Sequence, residues 1–309
     1  MKVVLTSTCV VILLCGSAFG TRIELFQAEG RNGMAASPTD GLCETMVKPQ
    51  DYACEEHQVM TKDGYIISVQ RIPVGRSGGA PGDRPPVLLQ HGLLGDGSSW
   101  VLLPPDQALA FVLADNEFDI FTWFSLVYWN WSWDELVSDE LPAMFQYVYN
   151  ETGQKRHYVG HSQVSYWLDL AKFDPLGAPA ITLIAEICVK QGIDCRDLMS
   201  AFSVIKEGTV AMYDYKDENE NKKHYGQPTP PVYNMTSIPK DFPLFLCHGG
   251  ADSLSDVKDV KLLINSLKNH VRDRLELHFI DKYAHVDFIL GVNAKKVVYD
   301  PLIAFFKLQ

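Results

Sequence analysis

The chain has 309 residues, 47% of them apolar and 21% charged, enough to bury one large core. Its formal net charge of −11 argues against nucleic acid and against an electrostatic grip on anionic membranes. A protein of an extracellular or acidic compartment remains compatible with both.

The amino terminus reads as a secretory leader over residues 1–20: Lys2, an apolar run over 3–15, then small Gly16, Ser17, Ala18 and Gly20. That run is shorter than the ~20 apolar residues that cross a bilayer, so no transmembrane segment is expected. Residues 21–40 read as a poorly ordered mature end. Residues 54–72 alternate on both sides of Lys62-Asp63-Gly64 and predict a hairpin. A Gly/Pro-rich loop over 73–86 precedes a short buried strand, Pro86-Val87-Leu88-Leu89-Gln90, which ends at His91-Gly92-Leu93.

A helix carrying Leu109, Val112 and Leu113 follows, then a strand starting at Phe118. Asp139 is placed to cap a helix running to about residue 149, with Pro142 in its first turn, where proline is tolerated. Tyr158-Val159 lead into Gly160-His161-Ser162-Gln163-Val164, four-fifths of a nucleophile elbow. The carboxyl-terminal third repeats the rhythm. A strand over 242–247 ends in His248-Gly249-Gly250-Ala251-Asp252. A helix carries Val257, Val260, Leu263, Ile264 and Leu267. A strand over 274–280 runs to His285, and a last helix covers 294–306. Strands alternating with helices imply an α/β fold, a mostly parallel sheet covered on both faces.

In such sheets chemistry collects beyond the carboxyl ends of the strands, where Ser162, Asp252 and His285 lie in the order used by α/β-hydrolases. A serine hydroxyl becomes a nucleophile when an imidazole takes its proton and a carboxylate orients that imidazole. The backbone N–H of Gln163 and one from the loop at His91-Gly92-Leu93 are placed to receive the oxyanion. No cofactor and no metal are called for. Cys43/Cys54 and Cys188/Cys195 are each close enough to staple a short loop in an oxidising compartment, and Cys247 is left as a buried thiol. Asn130, Asn150 and Asn234 each open an N-glycosylation sequon.

Together these segments resemble the acid lipase family of secreted and lysosomal α/β-hydrolases. The segments that carry the resemblance are residues 52–71, 86–100, 129–135 (Trp129-Asn130-Trp131-Ser132-Trp133), 159–163, 249–256 and 283–288. The resemblance implies hydrolysis of triacylglycerol or sterol esters at an interface by a monomer with no nucleic-acid partner, in the extracellular space, lysosome or vacuole. It implies Ser162 as nucleophile, Asp252 and His285 as its partners, Leu93 and Gln163 as oxyanion-hole amides, and Cys188–Cys195 as a cap disulfide. The implied layout is a leader (1–20), a mature end (21–40), the first part of the core (41–163), a reduced cap (164–235) and the rest of the core (236–309).

Three departures stand out. Val164 occupies the second elbow glycine position. Only residues 121–128 bridge a stretch that is longer in the family. The elbow helix and the strand after it are missing, since Gln163 runs directly into cap-like sequence. The chain reads as an internally shortened member with one core strand lost. Its alternative reading is a family member with impaired or no catalysis.

Overall fold

The computed structural model describes residues 9–14, 41–79, 82–92, 96–125, 133–162, 212–215, 217–252 and 257–309. The mature end over 21–40, Leu93, Asn130, Gln163, Val164, Cys188 and Cys195 lie outside them. So does most of the proposed cap.

Among the described residues, eight strands form one sheet. They are β1 (Cys9–Leu14), β2 (Glu55–Met60), β3 (Ile66–Ile72), β4 (Pro86–Gln90), β5 (Asp119–Ser125), β6 (His157–His161), β7 (Leu244–Gly249) and β8 (Leu275–Ile280), ordered β2-β3-β5-β4-β6-β1-β7-β8. The β2–β3 hairpin and the β3–β5 pair are antiparallel, and every other pair is parallel. Arg71 of β3 grips Asp119 of β5 with Nη2–Oδ2 at 2.8 Å and Nε–Oδ1 at 3.1 Å, an ion pair shielded from water.

Side-chain alternation divides each central strand between two cores. Val87, Leu89, Val159, Ile120 and Phe245 face the helix Leu109–Asp115 (α1) and the carboxyl-terminal helices. Leu88, Phe121 and Tyr158 face the opposite way, against Met144 and Val148 of Leu141–Thr152 (α2). On that same side Leu244 and Leu246 pack on Val260, Leu263 and Leu267, the first two from the helix Val257–Ser266. All five residues of β4 are buried, as its unbroken apolar run requires of a strand covered on both faces.

Asp139 is not a helix cap. Helical backbone begins earlier, at Trp133, and continues through Leu136–Glu140 into α2, so Asp139 sits inside it and accepts a bond from Ser138 Oγ at 2.5 Å. Cys43 and Cys54 form a disulfide, and Cys247 is a buried free thiol. Asp134 ties together the segment over 213–233. It accepts from Tyr225 Oη at 2.7 Å, from the Tyr213 amide at 2.9 Å and from Tyr233 Oη at 2.9 Å.

The sheet place expected to lack its strand is filled. It lies between β6 and β7, and its occupant is β1, drawn from the apolar run of the proposed leader.

Glu140 gives the fold a pH dependence. Its carboxylate accepts the Trp123 indole N–H at 2.5 Å, and burial pushes its pKa up from about 4.5 to about 7. A raised carboxyl pKa favours the protonated fold, so this stabilisation is full below about pH 4.5 and is lost as pH rises through 7. Burial moves His157 down to about 4 and His161 down to about 3, which instead removes stability as pH falls below 6.5. Glu140→Gln should therefore flatten the decline in urea stability between pH 5 and 8, recovering about 2 kcal/mol at pH 8, while the acid-side decline persists.

Candidate active site

β6 delivers Ser162 with a backbone φ of +65°, a left-handed conformation that costs an L-residue about 1–2 kcal/mol. The turn aims the side chain out of the strand end, and Ser162 Oγ lies 2.8 Å from Nε2 of His285. That separation is a hydrogen bond between a hydroxyl and an imidazole nitrogen 123 residues away in the chain.

Close approach is made possible by glycine. A β-carbon on Gly92 would stand 2.7 Å from Ser162 Cβ and 3.1 Å from its Oγ. One on Gly249 would stand 2.1 Å from the Tyr283 carbonyl oxygen, and one on Gly250 2.3 Å from that of Asp281. The end of β7 is thus pressed against the loop after β8. Two backbone bonds stitch them, Gly250 N–H to the Ile280 carbonyl at 3.0 Å and Ala251 N–H to the Tyr283 carbonyl at 3.2 Å. Asp252, buried, follows directly on the stitched turn, and His285 lies two residues beyond Tyr283. The loop closes on itself where Asp287 Oδ2 accepts the Ala284 amide at 2.7 Å.

His161, the residue before the serine, was not singled out from sequence. Its Nε2 donates to the His285 backbone carbonyl at 3.2 Å, and the two rings lie 5.1 Å apart. Burial, assisted by the neighbouring His285, holds its pKa near 3, so the ring is neutral; a carbonyl only accepts, so Nε2 carries the proton. The signal was visible only as the second position of the elbow pentapeptide. His91, also buried with its pKa lowered by desolvation, places Nδ1 2.8 Å from the Gly92 carbonyl and supports the turn that faces Ser162.

Of the residues singled out from sequence, the fold thus brings Ser162 and His285 into contact and sets Asp252 at the end of the turn stitched to the His285 loop. Leu93 and Gln163 lie outside the described residues, as do Cys188, Cys195 and Asn130. Asn150 and Asn234 are exposed. Chemically, a strained hydroxyl bonded to an imidazole, with the buried ring of His161 against that imidazole, is equipped for proton transfer from oxygen to nitrogen. Among the described residues no His/Cys/Asp/Glu group is arranged to hold a metal, and no helix is long and apolar enough to cross a membrane.

Residues 43–103 match the partial α/β-hydrolase lipase region. Over 396 aligned positions the chain is 36% identical to triacylglycerol lipase 2 of Arabidopsis thaliana, an alignment covering 94% of this chain and 95% of that one. It is 29% identical to the gastric triacylglycerol lipase of Homo sapiens, over 84% of this chain and 89% of that one. An esterase from Pyrococcus furiosus shares the fold with a TM-score of 0.52 at 16% identity, over 84% and 92% of the two chains. The plant alignment exceeds this chain's length (396 against 309), so at least 87 of its positions fall opposite gaps here. The chain belongs to the acid lipase family of α/β-hydrolases, as an internally shortened member.

Proposed function

We propose that the protein is a serine ester hydrolase acting on neutral lipid esters, triacylglycerol or sterol ester, through Ser162, His285 and Asp252. The observation that carries this reading is the 2.8 Å bond between Ser162 Oγ and His285 Nε2 at a serine held in left-handed backbone. The names of the relatives support the substrate class, two of them being triacylglycerol lipases.

In this reading Ser162 Oγ attacks the ester carbonyl carbon as its proton passes to His285 Nε2. Asp252 orients the imidazole and stabilises its cationic form. The amides of Leu93 and Gln163 receive the oxyanion. The bond between the former carbonyl carbon and the alkoxy oxygen of the tetrahedral intermediate then breaks, and the leaving alcohol takes the proton back from His285. Water hydrolyses the acyl-serine by the same exchange, releasing the fatty acid and restoring Ser162. No cofactor enters. His161 positions the base by holding the His285 carbonyl.

The Cys43–Cys54 disulfide and the exposed Asn150 and Asn234 support folding in the secretory pathway. Residues 164–235 are assigned to a reduced cap over the acyl site, with Cys188–Cys195 as its disulfide and Asn130, Asn150 and Asn234 as glycan acceptors.

A second reading, a member retained without turnover, draws on Val164 in the elbow and on the positions lost from the alignment. A fluorophosphonate probe separates the two. Covalent labelling of the folded chain that disappears in Ser162→Ala, with p-nitrophenyl ester turnover falling about 10³-fold or more in His285→Ala, is the expected result. Folded protein that resists the probe would leave the second reading standing.

Ser162→Gly should unfold at higher urea than Ser162→Ala, by about 1 kcal/mol, because glycine adopts the left-handed backbone at no steric cost. Neither variant should hydrolyse esters. Gly249→Ala should stay folded yet lose about 100-fold in ester turnover, since the added carbon displaces the loop that carries His285. Wild-type rates in Gly249→Ala would contradict that geometry.

A further inference from the structure

The six residues of β1 belong to the segment that reads as a leader, yet in the folded molecule they form an interior strand. Five register pairs join β1 to β6, from Cys9↔His157 to Leu13↔His161, and five join it to β7, from Val10↔Leu244 to Leu14↔His248. Both neighbours are themselves covered: all of β7 and the last four residues of β6 are buried.

This strand acts as a spacer. Adjacent strands stand about 4.8 Å apart, so β1 holds β6 and β7 about 9.6 Å from each other. β6 ends at Ser162, and β7 ends at the turn bearing Asp252 and stitched to the His285 loop. Without a strand in this place, two buried edges would be left without ladder partners, or the sheet would close up by one spacing. Either change is several times larger than the ångström that separates a productive constellation from a poor one. The internal shortening explains why the place is open to the amino terminus, since the sequence runs from the elbow directly into cap-like residues.

We infer that the slot between β6 and β7 is a strand-acceptor site, and that its occupant is the chain's own residues 9–14, kept in the folded protein and not discarded with a leader. The recognition is that of β-augmentation: backbone groups pair on both sides, between two strands that are themselves buried. The slot selects for an extended, uncharged, proline-free segment, which residues 9–14 provide. Cleavage near residue 20 would remove the spacer. The inference stands on sheet geometry alone. Only its consequence for turnover rests on the proposed ester hydrolase.

Register supplies the test. Leu13 pairs with Cys247, the buried free thiol of β7, and paired α-carbons of neighbouring strands lie within the range a disulfide bridges. Leu14 pairs with His248, and successive strand residues face opposite ways. In the full chain with Cys9, Cys15, Cys188 and Cys195 replaced by serine, Leu13→Cys or Leu14→Cys is folded under oxidising conditions, and linkage to Cys247 is read by peptide mass spectrometry. The expected result is a link from Leu13→Cys and none from Leu14→Cys. No link from a folded Leu13→Cys protein, or equal linking by both, overturns the inference.

A second arm keeps the native cysteines and determines the amino-terminal residue of the protease-resistant protein. Residues 9–14 should remain attached, and a chain made without residues 1–20 should lose that resistance. Folded, resistant protein starting beyond residue 20 overturns the inference. A positive cross-link in a chain that no fluorophosphonate labels would leave the strand assignment intact and remove the ester-hydrolase reading, so the two fail separately.

Discussion

The spacing of strand ends in one sheet governs everything described at the site. Ser162, Asp252 and His285 come from the ends of three different strands, and nothing local in the chain connects them. Their mutual position is set by how many strands lie between β6 and β7 and by how closely the turns beyond them approach. The first quantity is fixed by β1. The second is fixed by Gly92, Gly249 and Gly250, where any larger residue would meet the opposing turn at contact distances below those real β-carbons show. Backbone ladders hold such spacings rigidly, because a buried amide that slips out of register loses its partner outright, at about 1–3 kcal/mol each.

Around that frame, burial lowers the pKa of both His91 and His161. His161 is buried and neutral, and its bond to the His285 carbonyl fixes that backbone without competing for the Ser162 proton. The strain at Ser162 works in the same direction: φ of +65° is tolerated because the strand below and the glycine across from it over-determine the turn. Two cores then clamp the sheet from opposite faces, so that strain at the strand end is borne by packing far from it.

Much of this was legible in the residues. The hairpin on Lys62-Asp63-Gly64, the buried run of β4 and the helix at Leu109 follow from periodicity and turn chemistry. The order of serine, aspartate and histidine was read from the elbow and the strand ends, and a Cys43–Cys54 staple from the closeness of the two cysteines in the chain. Two features were not. Asp139 has the chemistry of a cap, but helical backbone starting at Trp133 passes through it, and nothing in a local window marks that earlier start. His161 was hidden because its partner is a backbone carbonyl 124 residues away, and such a contact leaves no pattern in sequence.

The amino-terminal strand shows a different kind of illegibility. A leader's apolar core and a parallel strand buried on both faces demand the same thing: a short uncharged run that leaves water. Composition therefore cannot separate the two destinations, and what separates them is whether a place for the strand exists elsewhere. Here that place exists between β6 and β7, and the chain is shorter than the span of its plant alignment. Removing an interior strand from a sheet does not simply weaken it. It creates a site with defined register, defined direction and two rows of backbone donors and acceptors, which an apolar segment anywhere in the same chain can enter at high effective concentration. The shortening and the insertion of residues 9–14 are then two sides of one physical event. Whether the active constellation assembles turns on which solvent, membrane interior or sheet interior, captures those residues first.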